Sequence, residues 1–191
     1  MIDQQWWQGL EQQWKDAFAA ACFGHTNEPT ADELAVLFQA PALRFAGPSA
    51  PYPNMNFELS NLSGLAELKN LQILVVVHQQ IETIEELSAL TNLNSLFLYH
   101  NKISDLSPIA ELVGLQMLYV QGNQITSLLP VQKLTKLKEL YVNQNNISSL
   151  EGLTEAHADT LEMFFCKPNE QLKNKELLQV ERELGIRCRT A

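Results

Sequence analysis

Residues 93–103 read LNSLFLYHNKI. Successive side chains of an extended chain point to opposite faces, so Leu96 and Leu98 share one side while Phe97 and Tyr99 share the other. Only one of these pairs can line a single core. The neighbouring sequence decides which. Leu71, Leu93, Leu115 and Leu137 stand 22 residues apart, and the segments they open read LQILVVVHQQI, LNSLFLYHNKI, LQMLYVQGNQI and LKELYVNQNNI. Each follows LxxLxLxxNxI, with Gln79 in the place of the first Asn. The aliphatic positions recur in every copy, which assigns Leu96 and Leu98 to the core and turns the two rings away from it.

Behind each segment runs a second half of the form xxLxxLxxL: IETIEELSAL, ISDLSPIAEL, ITSLLPVQKL and ISSLEGLTEA. One such repeat cannot offset the entropy of ordering its own backbone, so neighbouring copies must stack and share a core. Asn101, Asn123 and Asn145 fall at the bend of successive copies, where a buried amide bonds backbone groups that a tight turn leaves unpaired. Gln79 is one methylene longer, so some local adjustment is expected there.

The segments resemble the 22-residue, internalin-like subfamily of leucine-rich repeats over residues 40–169. The resemblance implies an α/β fold: a right-handed solenoid with a parallel concave sheet and short turns or 3₁₀ segments on the convex side. Six strands are expected, near residues 43–45, 74–76, 96–98, 118–120, 140–142 and 164–166. Leu161, Phe164, Cys166 and Asn169 restore the pattern after two extra residues near His157. Ala40, Leu43 and Phe45 begin a degenerate first repeat, interrupted by an inserted loop over residues 48–58 whose prolines forbid ladder pairing.

A solenoid needs covers at both ends. Residues 1–39 are expected to form a helical cap, with one amphipathic helix over 2–23 carrying Trp7, Leu10, Trp14, Phe18 and Ala21 on one stripe. Thr30 and Glu33 make a capping box for a second helix that ends before Pro41. Residues 170–191 are expected to form the other cap. There Leu177, Val180 and Leu184 share a stripe, and Gly185 with Ile186 suggests a Schellman stop. The three parts read as one structural unit.

Bulk composition narrows the function. The chain has 191 residues, 46% of them hydrophobic, and a formal net charge of −9. No run approaches the ~20 apolar residues of a membrane span. Residues 1–130 hold 13 acidic and 4 basic side chains, a balance that repels phosphate backbones and argues against nucleic acid. Cys22, Cys166 and Cys188 are odd in number and scattered, which argues against a disulfide framework and for a reducing, cytoplasmic setting; the internalin resemblance implies a bacterial one. Arg187 and Arg189 beside Cys188 are a weak hint of thiol reactivity. The sequence contains no Gly-rich phosphate loop, HExxH or GxSxG motif, so neither catalysis nor a cofactor is expected.

The outward positions supply the candidate site. Val75, Phe97, Tyr119, Tyr141 and Phe165 occupy one row, spanning roughly 19 Å at the usual strand spacing. Val77, Tyr99 and Asn143 lie two residues later in their repeats, and Met117, Glu139 and Met163 two residues earlier. His78 and His100 occupy equivalent places side by side. They lack a third and fourth ligand, so no metal is expected, and His100 is read as the polar edge of the face. The expected function is a monomeric, non-enzymatic module that binds another protein through this aromatic stripe. Stacking on a glycan or other extended ligand, and a purely structural aromatic ladder, are the alternatives.

Overall fold

The computed structural model describes residues 2–190; Met1 and Ala191, the outer ends of the two expected caps, lie outside the described residues. One parallel sheet runs in chain order through β1 (Ala42–Ala46), β2 (Ile73–Val77), β3 (Ser95–Phe97), β4 (Met117–Tyr119), β5 (Glu139–Tyr141), β6 (Met163–Lys167) and β7 (Arg189–Thr190). Several strands begin one residue earlier than expected. The register advances by one repeat per strand, pairing Leu96 with Leu118 and Phe97 with Tyr119. Leu74, Leu96, Leu118 and Leu140 are fully buried on one face, and the rings lie on the other. Short 3₁₀ turns return the chain behind the sheet at Ser63–Leu65, Glu85–Ala89, Ser107–Ile109 and Leu129–Lys133. Pro108 and Pro130 open two of these turns, where a fixed φ and a missing N–H cost nothing. The apolar core is continuous from Trp7 to Ile186.

The amide ladder follows one rule. The side-chain oxygens of Asn101, Asn123, Asn145 and Asn169 accept from the backbone N–H of Ile81, Ile103, Ile125 and Ile147, at 3.2, 3.0, 2.9 and 3.2 Å. Each amide nitrogen donates to the carbonyl three residues back and to the matching carbonyl of the preceding strand. Consequently Leu98, Val120 and Val142 each receive two amides at one carbonyl, while every N–H has a single acceptor. Gln79 shows the adjustment its length requires. It accepts from Leu59 N–H at 2.6 Å and donates back to Phe45 at 3.2 Å, but makes no bond to its own strand.

At the N-terminus the single expected helix is broken. α1 (Ile2–Gly9) stops, α2 (Gln12–Phe18) restarts after Glu11, and a π-helical turn (Ala19–Phe23) ends at the left-handed Gly24. Gly9 weakens the helix locally, and the break brings Trp14 onto the first repeat. Its ring is fully buried against Gly64, where an added Cβ would stand 2.2 Å from the indole. Trp14 Nε1 donates to Asn61 Oδ1 at 3.1 Å. α3 (Ala31–Gln39) carries the expected reciprocal Thr30–Glu33 capping box.

The two extra residues near His157 form α4 (Glu155–Ala158), a single turn. His157 is fully buried. Its Nδ1 accepts from the Thr154 backbone N–H at 3.1 Å, so Nε2 carries the proton and donates to the Val131 carbonyl, also at 3.1 Å. The ring is therefore held neutral, and burial lowers its pKa.

The C-terminal end departs furthest from expectation. α5 (Asn174–Leu184) stops at a left-handed Gly185 whose N–H bonds the Glu181 carbonyl, the one-bond αL motif rather than a Schellman pair. The chain then pairs alongside β6 as a seventh strand, where six were expected. Cys166 and Cys188 are joined by a disulfide with Cα atoms 5.6 Å apart, so the reading of three free thiols is corrected. Their separation of 22 residues equals the repeat interval, which sets Cys188 beside Cys166 once the tail returns along β6. Cys188 has no thiol left to react. Cys22 is free, and desolvation pushes its thiol up to about 11.

Candidate binding face

The rings of the central row form a continuous stack. Phe97 meets Tyr119 edge-on at 4.8 Å. Tyr119 and Tyr141 lie 4.0 Å apart with planes 26° from parallel, and Tyr141 and Phe165 lie 4.5 Å apart at 23°. All four are half-buried, each packed against its neighbours in the row. Val75, Tyr99, Met117, Glu139 and Met163 are likewise half-buried on this face, and His100 is exposed. The Tyr119 hydroxyl donates to the Glu139 carboxylate. Burial first, and then that carboxylate, push the phenol pKa upward, so the hydroxyl remains a donor.

Two expected site residues are not available. Val77 is 1% exposed, packed with Ala46 and Ala50 beneath the inserted loop. The loop does not simply project, although Tyr52 at its tip is exposed. It folds back so that Asn54 accepts from the Ala46 N–H at 2.7 Å and donates to the Arg44 carbonyl at 2.7 Å. It thereby occupies backbone groups on the β1 edge that an intruding strand could otherwise pair with. Asn143 is 4% exposed, and its side-chain oxygen is buried with no hydrogen-bond partner among the described residues.

His78 and His100 do meet, with ring centroids 4.5 Å apart. They occupy a left-handed backbone row continued by Gly122 and Gln144, with φ of 53°, 55°, 68° and 56°. Gly122 leaves the space that the His100 ring takes, since an added Cβ would come within 2.5 Å of Nδ1. Desolvation, and then His100, lower the His78 pKa. Among the described residues no three His, Cys, Asp or Glu side chains converge on a point that could hold a metal ion.

Two residues at the ends of the row were missed. Arg44 pairs with Val75 in register, and Arg189 pairs with Phe165. The alternation of Leu43 and Phe45 could have revealed the first. The 22-residue interval from Cys166 to Cys188 was the one signal for the second.

A leucine-rich repeat family model, described as two copies of the repeat, matches residues 69–111 and 113–155. Among solved structures, an internalin (InlF) from Listeria monocytogenes is 32% identical with a TM-score of 0.62, over 78% of this chain and 40% of that one. A leucine-rich repeat protein of Leptospira interrogans is 24% identical with a TM-score of 0.60, over 76% of this chain and 36% of that one. The ectodomain of the Arabidopsis thaliana receptor kinase SOBIR1 shares the fold at 20% identity and a TM-score of 0.53, over 68% of this chain and 72% of that one. No curated protein matches the chain. The chain spans less than half the length of the internalin and of the Leptospira protein.

The repeat register, the asparagine ladder and these matches define a leucine-rich repeat protein. Within that class its repeats are internalin-like.

Proposed function

We propose that the ring-bearing face of the sheet, the concave side of a repeat solenoid, binds another protein, with Tyr119 and Tyr141 as central anchors. The fold is one associated with protein-interaction modules. The observation that carries the reading is the unbroken stack of four half-exposed rings with Met117 and Met163 beside it. Aromatic side chains and Met are enriched at interfaces, and anchors cluster at the centre. The proposed role is binding rather than catalysis, needs no cofactor, and is performed by a monomer. The disulfide removes the cysteine argument for a cytoplasmic setting, and such a bond persists in an oxidising compartment.

The stacking also favours a second reading, a ladder that only stabilises the sheet. Glycan stacking gains less from this geometry, because Tyr119, Tyr141 and Phe165 turn ring faces to one another. The deciding experiment compares proteins retained by the native chain, by Tyr119→Ala, and by Gln132→Ala on the back of the solenoid. A true partner loses affinity about 30-fold or more with Tyr119→Ala, the hot-spot scale, and is indifferent to Gln132→Ala. A partner that binds all three alike leaves the rings as sheet stabilisers.

A further inference from the structure

The aromatic row is bracketed by cations. Arg44 lies opposite Val75 on β1 and Arg189 opposite Phe165 on β7, with Lys167 two residues further along β6. Arg44 is one of only 4 basic side chains among the first 130 residues of a chain of net charge −9. Among the described residues the ion pairs are His25–Glu33, Lys133–Glu111, Arg182–Glu183 and Arg187–Glu181. None involves the three cations of this face. Both guanidinium groups are nevertheless held in place. Arg44 donates to the Tyr52 carbonyl of the inserted loop, and Arg189 donates to Met163 Sδ at 2.9 Å and to the Glu162 carbonyl at 3.3 Å. A guanidinium has five N–H donors, so each exposed arginine keeps donors free for a ligand. The one carboxylate among them, Glu139, sits mid-row and is occupied by the Tyr119 hydroxyl.

We propose that the segment seated on this face is an extended stretch of a partner protein with acidic side chains at both ends and an apolar, uncharged centre. The proposal rests on the binding role argued above and adds the partner's chemistry. An oriented, unpaired guanidinium matches a carboxylate through two parallel N–H donors. The rings accept apolar groups between, and Glu139 repels an acid placed there. Six strand intervals separate Arg44 from Arg189, ~29 Å, which about nine extended residues cover at ~3.3 Å each.

The test uses synthetic peptides of that length with a Leu- and Trp-containing centre, ending either in Asp at both ends or in Lys at both ends. Binding to the native chain, Tyr119→Ala, Arg44→Glu and Arg189→Glu is measured at low and high salt, with thermal melts to confirm folding. Lys167→Glu reads the same end should Arg189→Glu fail to fold. The acidic-ended peptide is expected to bind, to weaken about tenfold with each charge reversal, and to weaken with salt. The lysine-ended peptide is expected not to bind. Equal binding of the two peptides, or of neither, overturns the inference. So does equally strong competition by a dT oligonucleotide. Loss on Tyr119→Ala with indifference to the arginines overturns the inference alone. Indifference to Tyr119→Ala overturns the proposed function itself, however the arginines behave.

Discussion

Tyr141 is stacked on both sides, against Tyr119 at 4.0 Å and Phe165 at 4.5 Å, both within 26° of parallel. The stack links three consecutive strands on the side away from the leucines. The proposed binding role and stability therefore meet at this residue in a way that alternation alone does not reveal.

Tyr141→Ala is expected to lower folding stability by about 1–3 kcal/mol, since each aromatic pair contributes about 0.5–1.5 kcal/mol. Phe97→Ala, which loses one edge-on neighbour, is expected to cost less. Urea melts of the two variants read the difference, and equal costs would show that the stack adds nothing.

Leu118→Ala, in the middle of the core, is expected to cost about 2–5 kcal/mol through lost transfer energy and the cavity left behind. Its side chain is fully buried, so relaxation around it is limited. Chemical denaturation provides the measurement.

Asn123→Ala is expected to cost about 1–3 kcal/mol, and one atom accounts for most of it. The carbonyls of Leu98 and Val120 keep a second amide, from Asn101 and Asn145. The Ile103 N–H loses the oxygen it bonds at 3.0 Å. Hydrogen exchange at Ile103 should therefore accelerate more than at its neighbours, and an unchanged rate would contradict the ladder.

Acid is expected to destabilise the fold through His157 and His78. Both have pKa values lowered by burial from a reference of 6.5. As pH falls, the unfolded chain takes up these protons before the folded chain does. The stability contribution is thus complete above 6.5 and is lost as pH falls through that value toward the lower folded-state pKa. Melts of native protein and His157→Gln between pH 7.5 and pH 4.5 test this. The variant should show the shallower decline.

Reduction of the Cys166–Cys188 disulfide is expected to cost roughly 3 kcal/mol, the loop-closure scale for its sequence separation of 22. The loss should start in β7 and α5, because the bond and the short β6–β7 pairing together tie this tail beside β6. Melts with and without reductant, with Cys188→Ser as the control, give the answer.

Much of the molecule could be read from its periodicity. Leu96 and Leu98 lie inward and Phe97 outward because the 22-residue interval and the two-residue strand alternation agree at every copy. Asn123 could be assigned a buried bonding role because each bend poses the same unpaired N–H. Even the Thr30–Glu33 box was legible, since its partners are three residues apart.

Val77, Asn143, Arg44 and Arg189 mark where that reading ends. Alternation placed Val77 outward correctly, yet Ala50 of a non-repeating loop covers it. Arg189 joins the face only because the Cys166–Cys188 bond and the β6–β7 pairing return the tail to the sheet. Trp14 reaches Gly64 only because the helix breaks ahead of it. Repeated contacts are encoded locally, since each copy meets a copy of itself at a constant interval. The N-terminal cap and the inserted loop meet partners at no fixed interval, so their contacts follow from packing in three dimensions.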